Sequence, residues 1–235
     1  MPQGRPLFMF RTHFSAPREL IVIELIYFLF VVGLSLFIYL KTKEVYQLTK
    51  HKGIYYFRKI FFYFSLAYTF RLINIIVIFS RELLGFFSPM RFGLGTILLV
   101  SYFSTLAILS LFVSLNIKNI KIEESNLESY MHIFAVLISV LVIFVRSYYL
   151  LIVIQIITFI IAILLTIFVS RKQKYPKFIS KNIVTYALLI LFWVINTLAF
   201  TRNLLPREIM IPVYVLSVSV FFSIFLRIKK RLRFI

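Results

Sequence analysis

The stretch Lys41–Arg81, KTKEVYQLTKHKGIYYFRKIFFYFSLAYTFRLINIIVIFSR, decides the fold of this chain. It begins as a basic segment, which we interpret as a loop, and continues as an apolar helix that carries Arg71 near its middle. Basic residues that flank an apolar helix set the orientation of that helix in a membrane. An arginine at membrane depth is costly to place in lipid, so Arg71 is the first residue to consider for a site.

The composition of the whole chain is that of a membrane protein. Of its 235 residues, 61% are hydrophobic and 18% are aromatic, whereas soluble domains are typically about 45–50% apolar. The apolar runs are continuous, which favours helices and argues against a β-barrel with alternating residues. Apolar spans are predicted at residues 20–40, 59–80, 92–115, 129–145, 148–169, 182–201 and 209–226. We therefore predict an all-α, polytopic transmembrane bundle of seven helices.

The fourth and fifth spans are interpreted as two helices with a tight turn between them. A single helix over residues 129–169 would be about 60 Å long, which is twice the thickness of the hydrocarbon layer. Residues 1–18, which contain three prolines, are predicted to form a polar tail. Residues 19–235 are predicted to form one transmembrane domain.

The basic residues predict the orientation of the bundle. When the segments 41–58, 116–128 and 170–181 and the C-terminal tail are placed inside, they contain twelve of the thirteen lysines, and Lys59 directly follows the first of these segments. The positive-inside rule then places the N-terminus outside and the C-terminus in the cytoplasm, in the cell (plasma) membrane. We expect this basic inner face to contact anionic lipid headgroups, so the formal net charge of +19 does not indicate nucleic acid as a partner.

Two pairs of segments in the chain resemble each other. Ile21–Ile26 reads IVIELI and Ile152–Ile157 reads IVIQII. Ile73–Leu84 reads INIIVIFSRELL and Ile195–Leu205 reads INTLAFTRNLL, which match after a one-residue gap. We interpret these matches as two parallel triple-helix repeats joined by helix 4, a 3+1+3 arrangement. The alternative is chance similarity in a chain rich in Ile, Leu and Phe.

Polar side chains inside the spans mark a candidate intramembrane site. Arg71 and Asn74 lie one turn apart on helix 2, and Glu24 is the only carboxylate well inside a predicted span. Ionisable groups at this depth usually face the bundle interior and have partners. Two interpretations are open: an outward-facing pocket in which Arg71 meets an anion or a polar solute, or a structural clamp formed by Glu24 and Arg71.

The repeat adds three residues of the second half to this site. By alignment of the two halves, Gln155 corresponds to Glu24, Trp193 to Arg71 and Asn196 to Asn74. Thr158 and Thr197 are candidates for extending the polar lining. The hydroxyl residues of helix 3, Ser101, Ser104 and Thr105, are predicted to serve in packing or in bonding to their own helix rather than as ligands.

Several chemistries are disfavoured because the chain lacks the residues they need or has them outside the interior of the predicted spans. There is no cysteine and no aspartate, and the only lysine in a predicted span is Lys59, at the edge of the second span. A thiolate, paired aspartates on a metal and a Schiff base at membrane depth therefore have no residues to form them. His132 is the only histidine close to a span, which leaves a histidine metal or haem site unsupported. We predict no catalytic site, no bound cofactor and no metal.

The segment that begins at Lys41 and reaches Arg71 resembles a stretch of small archaeal-type seven-helix membrane proteins, and this resemblance implies no activity. The 3+1+3 arrangement, with halves at about 19–115 and 148–226, is similar to the SWEET/PQ-loop carriers and to the KDEL-receptor class. Those carriers have a Pro-Gln hinge in the first helix of each triple, whereas Pro212, in helix 7, is the one proline within a predicted span here. Straight helices favour a static bundle or a sensor over a rocking carrier.

These observations together favour a receptor or sensor with an outward-facing polar pocket for a small polar or anionic ligand. The alternatives are a small-solute transporter of the 3+1+3 type and a membrane scaffold that has no ligand. Fold similarity alone does not decide among them.

Overall fold

The computed structural model describes residues 18–84, 89–117, 120, 123–145, 148–171, 177–200 and 207–232. These residues form seven α-helices, and the described ranges contain no strand. The helices are α1 (Arg18–Thr49), α2 (Lys52–Leu84), α3 (Pro89–Asn116), α4 (Glu124–Val145), α5 (Tyr148–Arg171), α6 (Lys177–Phe200) and α7 (Arg207–Leu232). The predicted all-α bundle of seven helices is confirmed, including the break between the fourth and fifth spans. The predicted tail lies, except for Arg18, outside the described residues.

The bundle has the surface of an integral membrane protein. Within the described residues, α1 to α4 and α7 are long and apolar enough to cross a membrane. The described parts of α5 and α6 carry shorter apolar stretches, Ile152–Leu164 and Val184–Asn196. Large apolar side chains point outward on many helices, and on α4 they include Leu137 at 62% and Phe144 at 82% exposure. An apolar surface of this extent would aggregate in water, so it is the surface that lipid covers.

Helix α2 contacts helices from both halves of the chain. It packs along α1 and α3 over much of its length. Its buried rings also reach the other half of the chain, because Phe64 lies 5.7 Å from Phe192 of α6. Phe61 of α2 lies 6.3 Å from Phe221 of α7, again between ring centroids. The helix that carries Arg71 therefore contacts helices of both halves of the chain.

The first and last helices run in the same direction. Tyr27 of α1 lies 4.9 Å from Tyr214 of α7, and further along both helices Phe37 lies 5.3 Å from Phe225. The start of α1 and the end of α7 are thus at opposite ends of the bundle, as an odd number of crossings requires. We call the end that contains the turn between α1 and α2 the basic end, and the opposite end the N-terminal end.

The prediction of a loop at residues 41–58 is wrong, because the structure is helical there except at Lys50 and His51. Lysine and glutamate are good helix formers, and nothing in the segment before Thr49 interrupts the helix. Lys41 and Glu44, one turn apart, form an ion pair at 3.5 Å, which adds a small stabilisation to the exposed helix. At about 1.5 Å per residue, α1 and α2 extend well beyond the hydrocarbon layer.

The turn between these helices is short and locally capped. Lys50 has a φ angle of 50°, and its N–H donates to the carbonyl of Tyr46 at 2.8 Å, which is the usual left-handed ending of a helix. The N–H of Gly53 donates to Nδ1 of His51 at 3.1 Å. One of the free donors at the start of α2 is thereby satisfied.

The internal repeat stays a prediction. In the first half of the chain, α2 packs extensively against both of its neighbours, whereas α5 packs more extensively against α3 than against α6. The two halves therefore do not make the same set of contacts among the described residues.

Candidate functional site

A buried hydrogen-bonded network joins four helices in the N-terminal half of the bundle. At its centre Asn196 of α6 accepts hydrogen bonds at Oδ1 from the hydroxyls of Tyr27 on α1 and Tyr68 on α2. Its Nδ2 donates to Oγ of Ser217 on α7 at 3.0 Å and to the carbonyl of Phe192 at 2.7 Å. The Tyr27 and Ser217 hydroxyls are 2.8 Å apart. We call Tyr27, Tyr68, Asn196 and Ser217 the Asn196 network.

The Asn196 network is a closed and satisfied arrangement. Its four side chains are each at most 4% exposed, and none of them is among the described buried polar groups that lack a hydrogen-bond partner. Interhelical hydrogen bonds in membranes contribute about 0.6 kcal/mol on average, but an unsatisfied polar group left behind costs more. The network therefore fixes α6 and α7 against α1 and α2.

Arg71 lies at the edge of this network. Its Cζ is 5.0 Å from the ring centroid of Phe28 and 5.3 Å from that of Tyr68, within the range of a cation–π interaction. The Arg71 side chain is half-buried, and so is Asn74 one turn further along α2. Glu24, one turn before Phe28 on α1, is only 7% exposed. The direct pairing of Glu24 with Arg71 stays a prediction.

The hydrogen bond of Gln155 is separate from the Asn196 network. Its Nε2 donates to Oγ of Ser104 on α3, and that hydroxyl also donates to the carbonyl of Val100, one turn back, at 2.5 Å. One turn after Gln155, Phe159 stacks on Trp193 of α6 with ring centroids 5.3 Å apart. Trp193 thus forms an aromatic contact between α5 and α6, and its correspondence to Arg71 stays a prediction.

The six predicted residues are therefore only partly brought together. Arg71 and Asn196 share Tyr68 as a neighbour, whereas Gln155 has its described polar partner on α3. Thr158 bonds back to the carbonyl of Ile154 at 2.8 Å. The side chain of Thr197 lies outside the part of the chain that the structure describes.

Sequence reasoning missed three members of the Asn196 network, namely Tyr27, Tyr68 and Ser217. Tyrosines of membrane proteins are common at the membrane interface, where their amphipathic rings fit, but these two are buried in the bundle. A signal was present, because Tyr27 follows Glu24 and Tyr68 precedes Arg71 by three positions. Residues three apart share a helix face, so both hydroxyls belong to the predicted polar faces.

Polar contacts closer to the basic end cross-link α4 to its neighbours. Lys59 of α2 and Glu128 of α4 form an ion pair at 2.7 Å, and the hydroxyl of Tyr102 on α3 lies 2.6 Å from Nδ1 of His132. The structure shows no group of three or more His, Cys, Asp and Glu suited to a metal among the residues it describes. These contacts place α4 against α2 and α3.

Comparison with protein-family models, with curated proteins and with solved structures yields no match to this chain. The similarity to the archaeal-type, SWEET/PQ-loop and KDEL-receptor proteins stays a prediction. Arg71 and the Asn196 network are therefore the features that bear on function.

Two serines of α7 provide a matched test of the network. Ser217→Ala is expected to lower the free energy of unfolding by about 1–2 kcal/mol, because it removes one partner each from Tyr27 and Asn196. Ser219 is exposed, and the one hydrogen bond of its hydroxyl to the described residues goes to the carbonyl of Val215 on its own helix, at 2.9 Å. Ser219→Ala is expected to stay within about 0.5 kcal/mol of the wild type. Unfolding of the purified protein in detergent measures both, and equal losses would contradict the assignment.

Proposed function

We propose that this integral membrane protein is a receptor or sensor whose small polar or anionic ligand binds at Arg71. One observation carries the proposal: the Arg71 guanidinium lies 5.3 Å from the ring of Tyr68, and the Tyr68 hydroxyl donates to Asn196. A guanidinium donates several hydrogen bonds in a planar fork, which suits carboxylates and other oxyanions. The group that recognises the ligand is therefore one side chain away from a network that joins four helices.

This position supplies a route for signalling. A ligand that draws the guanidinium away from Tyr68 changes the environment of one hydroxyl donor to Asn196, and Asn196 in turn bonds to Ser217 on α7. Because the network is closed, a displaced donor leaves an unsatisfied acceptor. The cost of that unsatisfied group favours a shift of α6 and α7. Ligand binding shifts such an equilibrium only when it favours one of the two arrangements.

The proposed setting is the plasma membrane, with the N-terminal end outside and the basic end in the cytoplasm. The distribution of lysines supports this orientation. Arg71 and the Asn196 network lie in the half that would face outward, which is where an external ligand arrives. Anionic headgroups of the inner leaflet would contact the basic end.

The test uses the full chain purified in detergent and three probes, namely acetate, succinate and glucose. A receptor of anions is expected to unfold at a higher temperature with a carboxylate and to be unaffected by glucose. The same protein in proteoliposomes is expected to show no flux of the stabilising probe. Sustained flux would identify the small-solute transporter instead. A chain that responds to none of the probes would contradict a carboxylate receptor and favour the scaffold.

A further inference from the structure

Arg58 is a buried cation at the basic end of α2. Its side chain is 7% exposed, and its Cζ lies 4.7 Å from the ring centroid of Tyr39 and 5.6 Å from that of Tyr46, both on α1. Its Nε donates to the carbonyl of Tyr39 at 3.4 Å. Burial of a guanidinium on two aromatic faces and one carbonyl leaves its positive charge without a balancing negative charge.

Two carboxylates at the basic end of the bundle are engaged with lysines. Glu44 pairs with Lys41, and Glu128 pairs with Lys59. Arg58 forms no ion pair with any residue that the structure describes. The one hydrogen bond of Arg58 to the described residues uses Nε. Its terminal nitrogens are not among the described fully buried atoms that lack a partner, so they reach the molecular surface and are available to an acceptor.

Further positive charge lies around the same two rings. Nζ of Lys50 is 5.9 Å from the ring centroid of Tyr46. Lys43 falls four residues after Tyr39 and three before Tyr46, so it shares their face of α1, and its side chain is exposed. Arg58, Lys43 and Lys50 therefore concentrate positive charge on one side of the helical hairpin formed by α1 and α2.

The depth of this cluster matches that of lipid headgroups. The first apolar span ends at about Leu40, so Tyr39 and the guanidinium packed on it lie where the hydrocarbon meets the polar layer. Tyr39, Tyr46 and Tyr55 are all half-buried, as expected of rings at that boundary. A phosphate group of the bilayer lies at the same level.

We propose that Arg58 is the centre of a binding site for a phosphate group, which an anionic phospholipid or free phosphate supplies. The terminal nitrogens of Arg58 donate to two phosphate oxygens, and Lys43 and Lys50 flank the bound group. A guanidinium suits this ligand because its planar fork matches the spacing of phosphate oxygens. The site depends on the membrane setting and not on a ligand at Arg71, so either proposal can fail without the other.

The test measures binding of phosphatidylglycerol to the full chain in detergent by native mass spectrometry, with diacylglycerol as the lipid that lacks phosphate. The wild type is expected to retain phosphatidylglycerol but not diacylglycerol. Arg58→Gln is expected to weaken phosphatidylglycerol binding by about tenfold. Lys41→Gln, which removes an exposed lysine that is already paired with Glu44, serves as the matched control and is expected to bind within about twofold of the wild type.

A second variant covers the case in which Arg58→Gln does not fold. Lys43→Gln/Lys50→Gln changes only exposed side chains and is expected to weaken binding by about fivefold for each charge removed. Equal binding of phosphatidylglycerol by the wild type and the folded variants would overturn the site. A loss in Lys41→Gln as large as that in the other variants would also overturn it, because it would indicate a general basic surface. Where binding depends on Arg58, competition by inorganic phosphate assigns the site to the free ion, and lack of competition assigns it to the lipid headgroup.

Discussion

Asn196→Leu is expected to lower the free energy of unfolding by about 3 kcal/mol, because it deprives three buried hydroxyls of a partner in one step. Tyr27 and Tyr68 donate to Asn196, and Ser217 accepts from it. Each side chain is buried in the bundle, so neither water nor lipid replaces the lost partner. Single interhelical bonds in membranes contribute about 0.6 kcal/mol on average and at most about 1.7 kcal/mol, so a loss of about 3 kcal/mol corresponds to several bonds broken together.

Asn74→Leu provides the matched control for this change. Asn74 is half-buried on α2, and no hydrogen bond joins it to the residues that the structure describes. Its replacement is expected to change the free energy of unfolding by less than about 1 kcal/mol. Unfolding in detergent, followed by helical circular dichroism, compares the two variants. Equal effects of Asn196→Leu and Asn74→Leu would show that the network does not hold the helices together.

Arg71→Leu is expected to weaken carboxylate binding by at least about 30-fold and to leave the folded bundle intact. Removal of a charged hydrogen-bond donor from a bound anion typically costs about 2–5 kcal/mol. Arg71 at membrane depth is itself unfavourable by about 2.5–3.5 kcal/mol on insertion scales, which offsets the stabilisation from the rings of Phe28 and Tyr68. We therefore expect a stability within about 1 kcal/mol of the wild type. Thermal unfolding with and without succinate measures both quantities.

A double-mutant cycle of Glu24→Leu and Arg71→Leu distinguishes a ligand pocket at Arg71 from a structural clamp formed by Glu24 and Arg71. If Glu24 and Arg71 serve only as a buried ion pair, each single change costs about 3–5 kcal/mol and the double change recovers most of that loss. The receptor proposal instead expects Arg71→Leu alone to be close to neutral and to remove the response to succinate. Full recovery in the double variant, with no effect of succinate on the wild type, would establish the clamp.

The sequence by itself determined the class of the molecule, the number of helices and the break between α4 and α5. These features depend on local apolar runs and on the length of helix that a bilayer accommodates, so each can be recognised in a short window. Arg71 and Asn196 were identified in the same way, because a polar residue inside an apolar run is conspicuous. The loop expected at residues 41–58 shows the limit of this approach, since charge marks the edge of the membrane and not the end of a helix.

Only the tertiary structure decided which polar residues meet. Tyr27 is 169 positions from Asn196 and 190 from Ser217. The local pattern places Tyr27 on the same helix face as Glu24, but it does not identify the partners of the Tyr27 hydroxyl. Arg58 likewise looked like one more basic residue until the packing of α1 against α2 placed it on Tyr39 and Tyr46. Apolar periodicity determines that a helix forms and crosses the membrane, but the partners of a buried hydroxyl or guanidinium depend on how the helices rotate and pack, which is a property of the whole bundle.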